Sequence, residues 1–231
     1  MSITNTSNGT SVRNPATAIL EWDAMEGNFK YYDSEAKERA YLKGKIEFIV
    51  LDQLSNVSGW VQDLGGCKAQ ETHNLSKAPL KVQAWKDGKP TLVKEGMYKD
   101  IKDSLKAMGI KYRKVVYALT TECETFGAGT IIKLDLGGCA MSQWIEDEIK
   151  DGKQVSLAGA EQVQLNKMVS YMKPQFSVVE PDSADLAEAK DADTTLQAYF
   201  DARKQKESTP VPQQTTLDSE VEYEDSSEIP F

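Results

Sequence analysis

Between Leu80 and Trp85 apolar and polar residues alternate, with Leu80, Val82 and Ala84 in one phase and Lys81, Gln83 and Trp85 in the other. A period of two is the signature of a strand with one face on a core. It constrains this chain more than any other feature, because its polar phase carries a tryptophan. Asn56 to Gln62 repeats the pattern, with Val57 and Val61 facing one way and Ser58, Trp60 and Gln62 the other. Lys45 to Leu51 is a β-branched and aromatic run, and Leu54-Ser55-Asn56 between these runs predicts the turn of a hairpin. Tyr112 to Thr120 and Thr130 to Leu136 are strand-like and joined by the loop Phe126-Gly127-Ala128-Gly129, and Met168 to Val179 is a last extended stretch interrupted by Pro174.

The period changes over Lys94 to Met108. Tyr98, Ile101, Leu105 and Met108 recur at helical spacing and Gly109 follows, which predicts one amphipathic helix. Several strands with a helix in their midst predict a mainly β protein, a small β-barrel of the OB-fold type with the helix between its third and fourth strands. The expected division is a flexible arm over residues 1–14, the barrel over 15–180, a helical segment over 181–206 and a disordered acidic tail over 207–231. The helical segment opens on an Asp182-Ser183 cap and carries Leu186, Ala189, Leu196 and Phe200 along one side. Asp-Leu-Gly-Gly-Cys occurs at Asp63 to Cys67 and again at Asp135 to Cys139, each time as the exit of a strand candidate.

The net charge of -9 is unevenly placed. From Glu180 to Phe231 there are 14 acidic and 4 basic residues, net -10, which leaves 22 acidic and 23 basic residues, net +1, before them. A near-neutral body with an acidic appendage is compatible with a basic groove on one face. Three cysteines (Cys67, Cys123, Cys139) without a close pair, and a polar segment from Met1 to Pro15, indicate neither a disulfide framework nor a signal peptide, so a reducing cytoplasm is expected. No apolar run approaches the roughly 20 residues needed to span a bilayer.

Beyond Lys206 the chain carries Asp218, Glu220, Glu222, Glu224, Asp225 and Glu228 with no basic residue, and finishes Glu228-Ile229-Pro230-Phe231. An aromatic ring beside a free carboxylate on an anionic arm suits an apolar pocket rimmed by lysine or arginine. Glu228-Ile229-Pro230-Phe231 after an acidic stretch resembles the C-terminal tip of bacterial and phage single-stranded DNA-binding proteins, the phage-encoded version more closely in design. It departs from the usual run of aspartates, since Ser226 and Ser227 interrupt the acids and glutamate predominates. The resemblance covers about the last ten residues. It implies a protein that binds single-stranded DNA during replication, recombination and repair and recruits polymerases, helicases or recombinases through Glu224, Asp225, Glu228, Ile229, Pro230 and Phe231.

Single-strand binders combine cations that follow phosphates with aromatic faces on which bases stack. Trp60 and Trp85, on the polar phase of alternating strands, are the stacking candidates, with Lys81 on the face of Trp85 and Lys86 and Lys89 after it. Tyr112, Arg113, Lys114 and Tyr117 interleave rings and charges, as do Phe29, Lys30 and Tyr31 in an expected loop. Trp22 and Trp144 are read as structural. His73 with the three cysteines lacks the paired spacing of a zinc site, and no cofactor or metal is expected. Two competing classes stay open. Asp63, Glu122, Glu124 and Asp135 near strand ends would suit a metal-dependent nuclease, and the acidic tail would suit an adaptor binding only replication proteins. A lone histidine and the absence of a nucleotide-binding loop or nucleophile motif favour a non-enzymatic protein.

Overall fold

The computed structural model describes residues 13–86, 89–166 and 168–208, with the side chains of Lys86 and residues 206–208 outside that description. The described chain is mainly β, with eleven strands and three helices. In chain order these are β1 (Ala18–Asp23), β2 (Asn28–Asp33), β3 (Glu38–Tyr41), β4 (Ile46–Val61), β5 (Gly65–Lys68), β6 (Leu80–Lys86), β7 (Lys89–Gly96), α1 (Tyr98–Ala107), β8 (Lys111–Cys123), β9 (Ile131–Leu136), α2 (Gly138–Glu146), β10 (Gln154–Asn166), β11 (Val169–Val179) and α3 (Ser183–Ser208). The sheet is open and runs β3-β2-β1-β9-β8-β4-β5-β6-β7, with β10 attached to β4 and β11 to β10. The β1–β9 pair is parallel and the other described pairs are antiparallel. Among the described residues no helix is long and apolar enough to cross a membrane.

The spine is β4, sixteen residues long, and here the predicted hairpin turn is corrected. Leu54, Ser55 and Asn56 are mid-strand, opposite Val115, Lys114 and Arg113 of β8. The segment contains no glycine or proline to turn the chain, and Ser55 also exchanges backbone hydrogen bonds with Thr72 at 2.7 and 3.0 Å. Register shifts at Glu47/Phe48 and Val50/Asp52 bend the strand instead. The predicted helix is also shortened. Lys94 to Gly96 belong to β7, and α1 starts at Tyr98. Its stop is Gly109, whose φ of +81° admits the left-handed turn that lets the Ile110 N–H reach the Leu105 carbonyl at 2.9 Å. As α1 follows seven strands, the count that put it between the third and fourth is corrected too.

Alternation along β4 and β8 divides the molecule. Val57, Val116 and Ala118 face one side, where α1 lies over Val57, Cys67, Leu80, Val82 and Ala84 and where Trp144 of α2 joins Phe48, Val50 and Leu134. Leu54, Val115, Tyr117, Ile49 and Leu119 face the other and meet α3 through Ala189, Leu196 and Phe200. Asp182 caps α3, its Oδ1 accepting the N–H groups of Ala184 and Asp185 at 2.8 Å each. The helix is therefore packed on the body. Asn14 is already tied to it, its amide donating to the Tyr117 hydroxyl at 3.4 Å, while residues 1–12 of the expected arm lie outside the described residues.

Candidate nucleic-acid interface

The face crossed by α3 continues beyond the helix toward β5 and β6, and pairing fixes which side chains it presents. Paired residues of neighbouring strands share a face. Trp60 pairs with Gly66, and Ser58 pairs with Lys68, which pairs with Gln83. Lys81 and Trp85 alternate with Gln83, so Trp60, Lys68, Lys81 and Trp85 lie on one surface. On the other side of β4, Ser58 pairs with Lys111, adding an exposed cation to it. Trp60 is 76% exposed and Trp85 is 48% exposed. Tryptophan is on average highly buried, so two exposed indoles on one face are unusual. The Lys68 ammonium stands 5.7 Å from the centroid of the Trp85 ring, in cation–π range, and Lys81 is 3.6 Å from Glu95.

Beside this surface runs a groove of about 770 Å³ between β6 and the last turns of α3. Lys68, Lys81, Gln83 and Trp85 line one wall and Phe200, Arg203 and Lys204 the other. Its floor holds Glu71, which accepts from Lys133 and from the Tyr117 hydroxyl at 2.9 Å and lies 3.5 Å from Arg203. Burial by itself would push the Glu71 carboxyl up, but Lys133, Tyr117 and Arg203 together outweigh it and hold the group below its ordinary range. The acid on the floor is thus neutralised by its own partners, leaving lysines to set the charge of the rim.

Other predicted residues are placed elsewhere, and several require correction. Tyr117 is fully buried beneath Phe200, ring centroids 5.4 Å apart, so it is core. Tyr112 points to the opposite side of β8, half-buried against the α1 cluster, with its hydroxyl 2.8 Å from Ser55 Oγ. Lys114 shares that side, and burial lowers its affinity for a proton, partly offset by Asp151 and Asp52. Arg113 is on the Trp60 face, paired with Asn56 and reaching across Gly137. Its Nε is buried without a hydrogen-bond partner among the described residues, as are Asn56 Oδ1 and Asp135 Oδ1. Burial raises the Asp135 carboxyl, with Arg113 and Lys133 partly offsetting it.

Phe29, Lys30 and Tyr31 form β2, not a loop. Phe29 is fully buried, Tyr31 packs edge-on against Phe126, and Lys30 pairs with Asp23 at 3.1 Å. Alternation turns the rings inward and ties up the lysine, and β2 lies five strands from β5 in the sheet order. The Lys86 side chain and the tail residues Glu224, Asp225, Glu228, Ile229, Pro230 and Phe231 lie outside the described residues. Trp144 is buried and donates to Gln53 at 2.9 Å, and Trp22 packs on Phe29 and donates to the Met172 carbonyl at 2.9 Å.

Lys68, Lys111, Arg203 and Lys204 escaped the sequence reading. Lys68 could have been found from the Gly65-Gly66-Cys67-Lys68 exit, had that segment been recognised as a strand pairing with the Trp60 strand. The zinc candidates are dispersed: Cys67 is under α1, Cys123 is in the cluster under α2, Cys139 lies against the Met172 carbonyl, and His73 bonds Asp52 at 2.9 Å. Among the described residues no group of three or more histidine, cysteine or acidic side chains is gathered to hold a metal ion. Comparison with known proteins finds no matching family model, no matching curated protein and no matching solved structure.

Proposed function

We propose that this protein binds and protects single-stranded DNA with little sequence preference, as a non-enzymatic component of phage-type replication, recombination and repair in a cytoplasm. The observation that carries the reading is the pair of exposed indoles, Trp60 and Trp85, on one sheet face with Lys68, Lys81 and Lys111. Aromatic faces that accept any base, set among cations that follow any backbone, give affinity without sequence readout. An OB-type body belongs with this proposal, supported by the mainly β content and by a helix placed within the run of strands. The test is intrinsic fluorescence. Stacking on Trp60 and Trp85 quenches emission as oligo-dT is added, and emission unchanged through saturating oligo-dT counts against the reading.

Partner recruitment is assigned to residues 224–231. Arg203 and Lys204, which line the groove, lie in α3, the last described element before that segment. Burying a phenylalanine contributes about 1.5 to 3 kcal/mol, against about 0 to 1 for one exposed charge pair, so the Phe231 ring outweighs any single acid beside it. Phe231→Ala therefore abolishes capture of a replication, recombination or repair protein in a pull-down while leaving oligo-dT affinity within experimental error. Equal capture by both proteins would refute the anchor.

A further inference from the structure

Gly66 sits in the interior of a strand that has no need of it. Its neighbour Gly65 takes a φ of +82°, which only a glycine adopts freely, but Gly66 lies outside the left-handed region. The β4–β5 pairing passes through it without a register shift, so it marks no bulge. A methyl group built at Gly66 meets no heavy atom within 4 Å, so no neighbouring backbone or side chain requires its absence. A glycine inside a strand weakens it and marks a bulge, a tight bend, or a place where a ligand or another backbone comes close. With bulge and backbone approach removed, a bend at the hairpin exit or a ligand remains, and the residues flanking Gly66 favour the ligand.

The flanks say which ligand. Trp60 is directly across from Gly66 on β4, and carrying the Cys67–Ala84 and Lys68–Gln83 register one residue on brings Trp85 of β6 to its other side. The row therefore reads indole, gap, indole. Two strand spacings of about 4.8 Å separate the outer Cα atoms by about 9.6 Å. Stacked bases are about 3.4 Å apart, so a base between two rings needs them about 7 Å apart, which side-chain rotation at this separation supplies. Lys68, on the next row of the same face and 5.7 Å from the Trp85 centroid, together with Lys111 on that row and Lys81 beyond it, supplies positive charge for a neighbouring phosphate.

We infer that Trp60, Gly66 and Trp85 form a slot for one unpaired nucleobase of a single strand, sandwiched between the two indoles over the bare backbone of Gly66, with Lys68 facing the adjoining phosphate. This rests on the single-strand reading above and specifies its site. A slot of this kind reads the flat face of a base, so it takes DNA and RNA strands alike and rejects duplex, whose bases are already stacked.

The experiment is Gly66→Val in the full chain. Valine suits an extended strand and a Cβ at this position meets no heavy atom within 4 Å, so the variant is expected to fold. Its isopropyl group fills the slot. Affinity for oligo-dT and oligo-rU falls about 5- to 150-fold, the range for one stacked base, and the quenching of a 2-aminopurine placed in the oligonucleotide is lost. Gly66→Ala, adding one methyl, gives a smaller loss of the same kind and serves should the valine variant fail to fold. A folded variant that binds and quenches like wild type overturns the slot while leaving single-strand binding intact. Wild-type protein that binds neither oligonucleotide overturns both.

Discussion

Replacing Trp60 and Trp85 by alanine weakens oligo-dT binding, each single change by about 1 to 3 kcal/mol, and the double change by less than the sum of the two. The shortfall is the informative part. If the two indoles clasp the same base, removing either wall leaves that base stacked on one face, so the second removal finds less to lose. Independent stacking of two different bases gives additive losses. Stability changes little in all three variants, because Trp60 is 76% and Trp85 48% exposed. Loss of binding with an unchanged unfolding midpoint thus assigns the effect to the interface. Full affinity in the folded double variant removes both residues from it.

A large stability effect is expected at Phe200. This ring is buried against Tyr117 and, with Leu196, fastens the second half of α3 across β4 and β8. Phe200→Ala costs about 3 to 5 kcal/mol by lost transfer energy and the cavity left behind, out of a total stability of about 5 to 15 kcal/mol. Because α3 supplies one wall of the groove, hydrogen exchange in the variant rises first over its C-terminal turns. A urea midpoint within error of wild type would show that α3 is not fastened there.

The same seam weakens in acid. The folded-state pKa of Glu71 lies below its ordinary value of 4.5, so the stabilisation it contributes is fully present above that value and is lost as pH falls through the folded one. Glu71→Gln removes this acid-side dependence and leaves Lys133 buried without its counter-charge, lowering stability at neutral pH as well.

Much of this surface was legible in the sequence, and the reasons for the gaps are physical. Alternation at 80–85 and 57–62 assigned each tryptophan to the solvent phase of its own strand, since period two needs no partner to be read. That the two share one face depends on the intervening strand. Gly65–Lys68 is four residues with two glycines, too short and too bare to show a pattern. The aromatic-basic run of β8 was misleading because adjacent residues of a strand point to opposite sides. Tyr112 goes under α1, while Arg113 and Tyr117 lie on the face of Trp60, Tyr117 buried there beneath α3. Burial of Tyr117 required knowing where α3 lands, a long-range fact that its apolar stripe of Ala189, Leu196 and Phe200 announces without an address. β10 went unread as a whole; its second half pairs only with β11 among the described strands and is polar or exposed along most of its length, so no core imposes alternation on it.

The most direct test of single-strand binding is a titration of fluorescent oligo-dT and of a duplex of equal length into the full chain, with and without magnesium, followed by electrophoresis of the DNA. The account predicts tight, salt-sensitive binding of oligo-dT, at least tenfold weaker binding of the duplex, no dependence on magnesium for binding, and intact DNA on the gel. Equal affinity for the two forms, or cleavage that appears with magnesium, would contradict it.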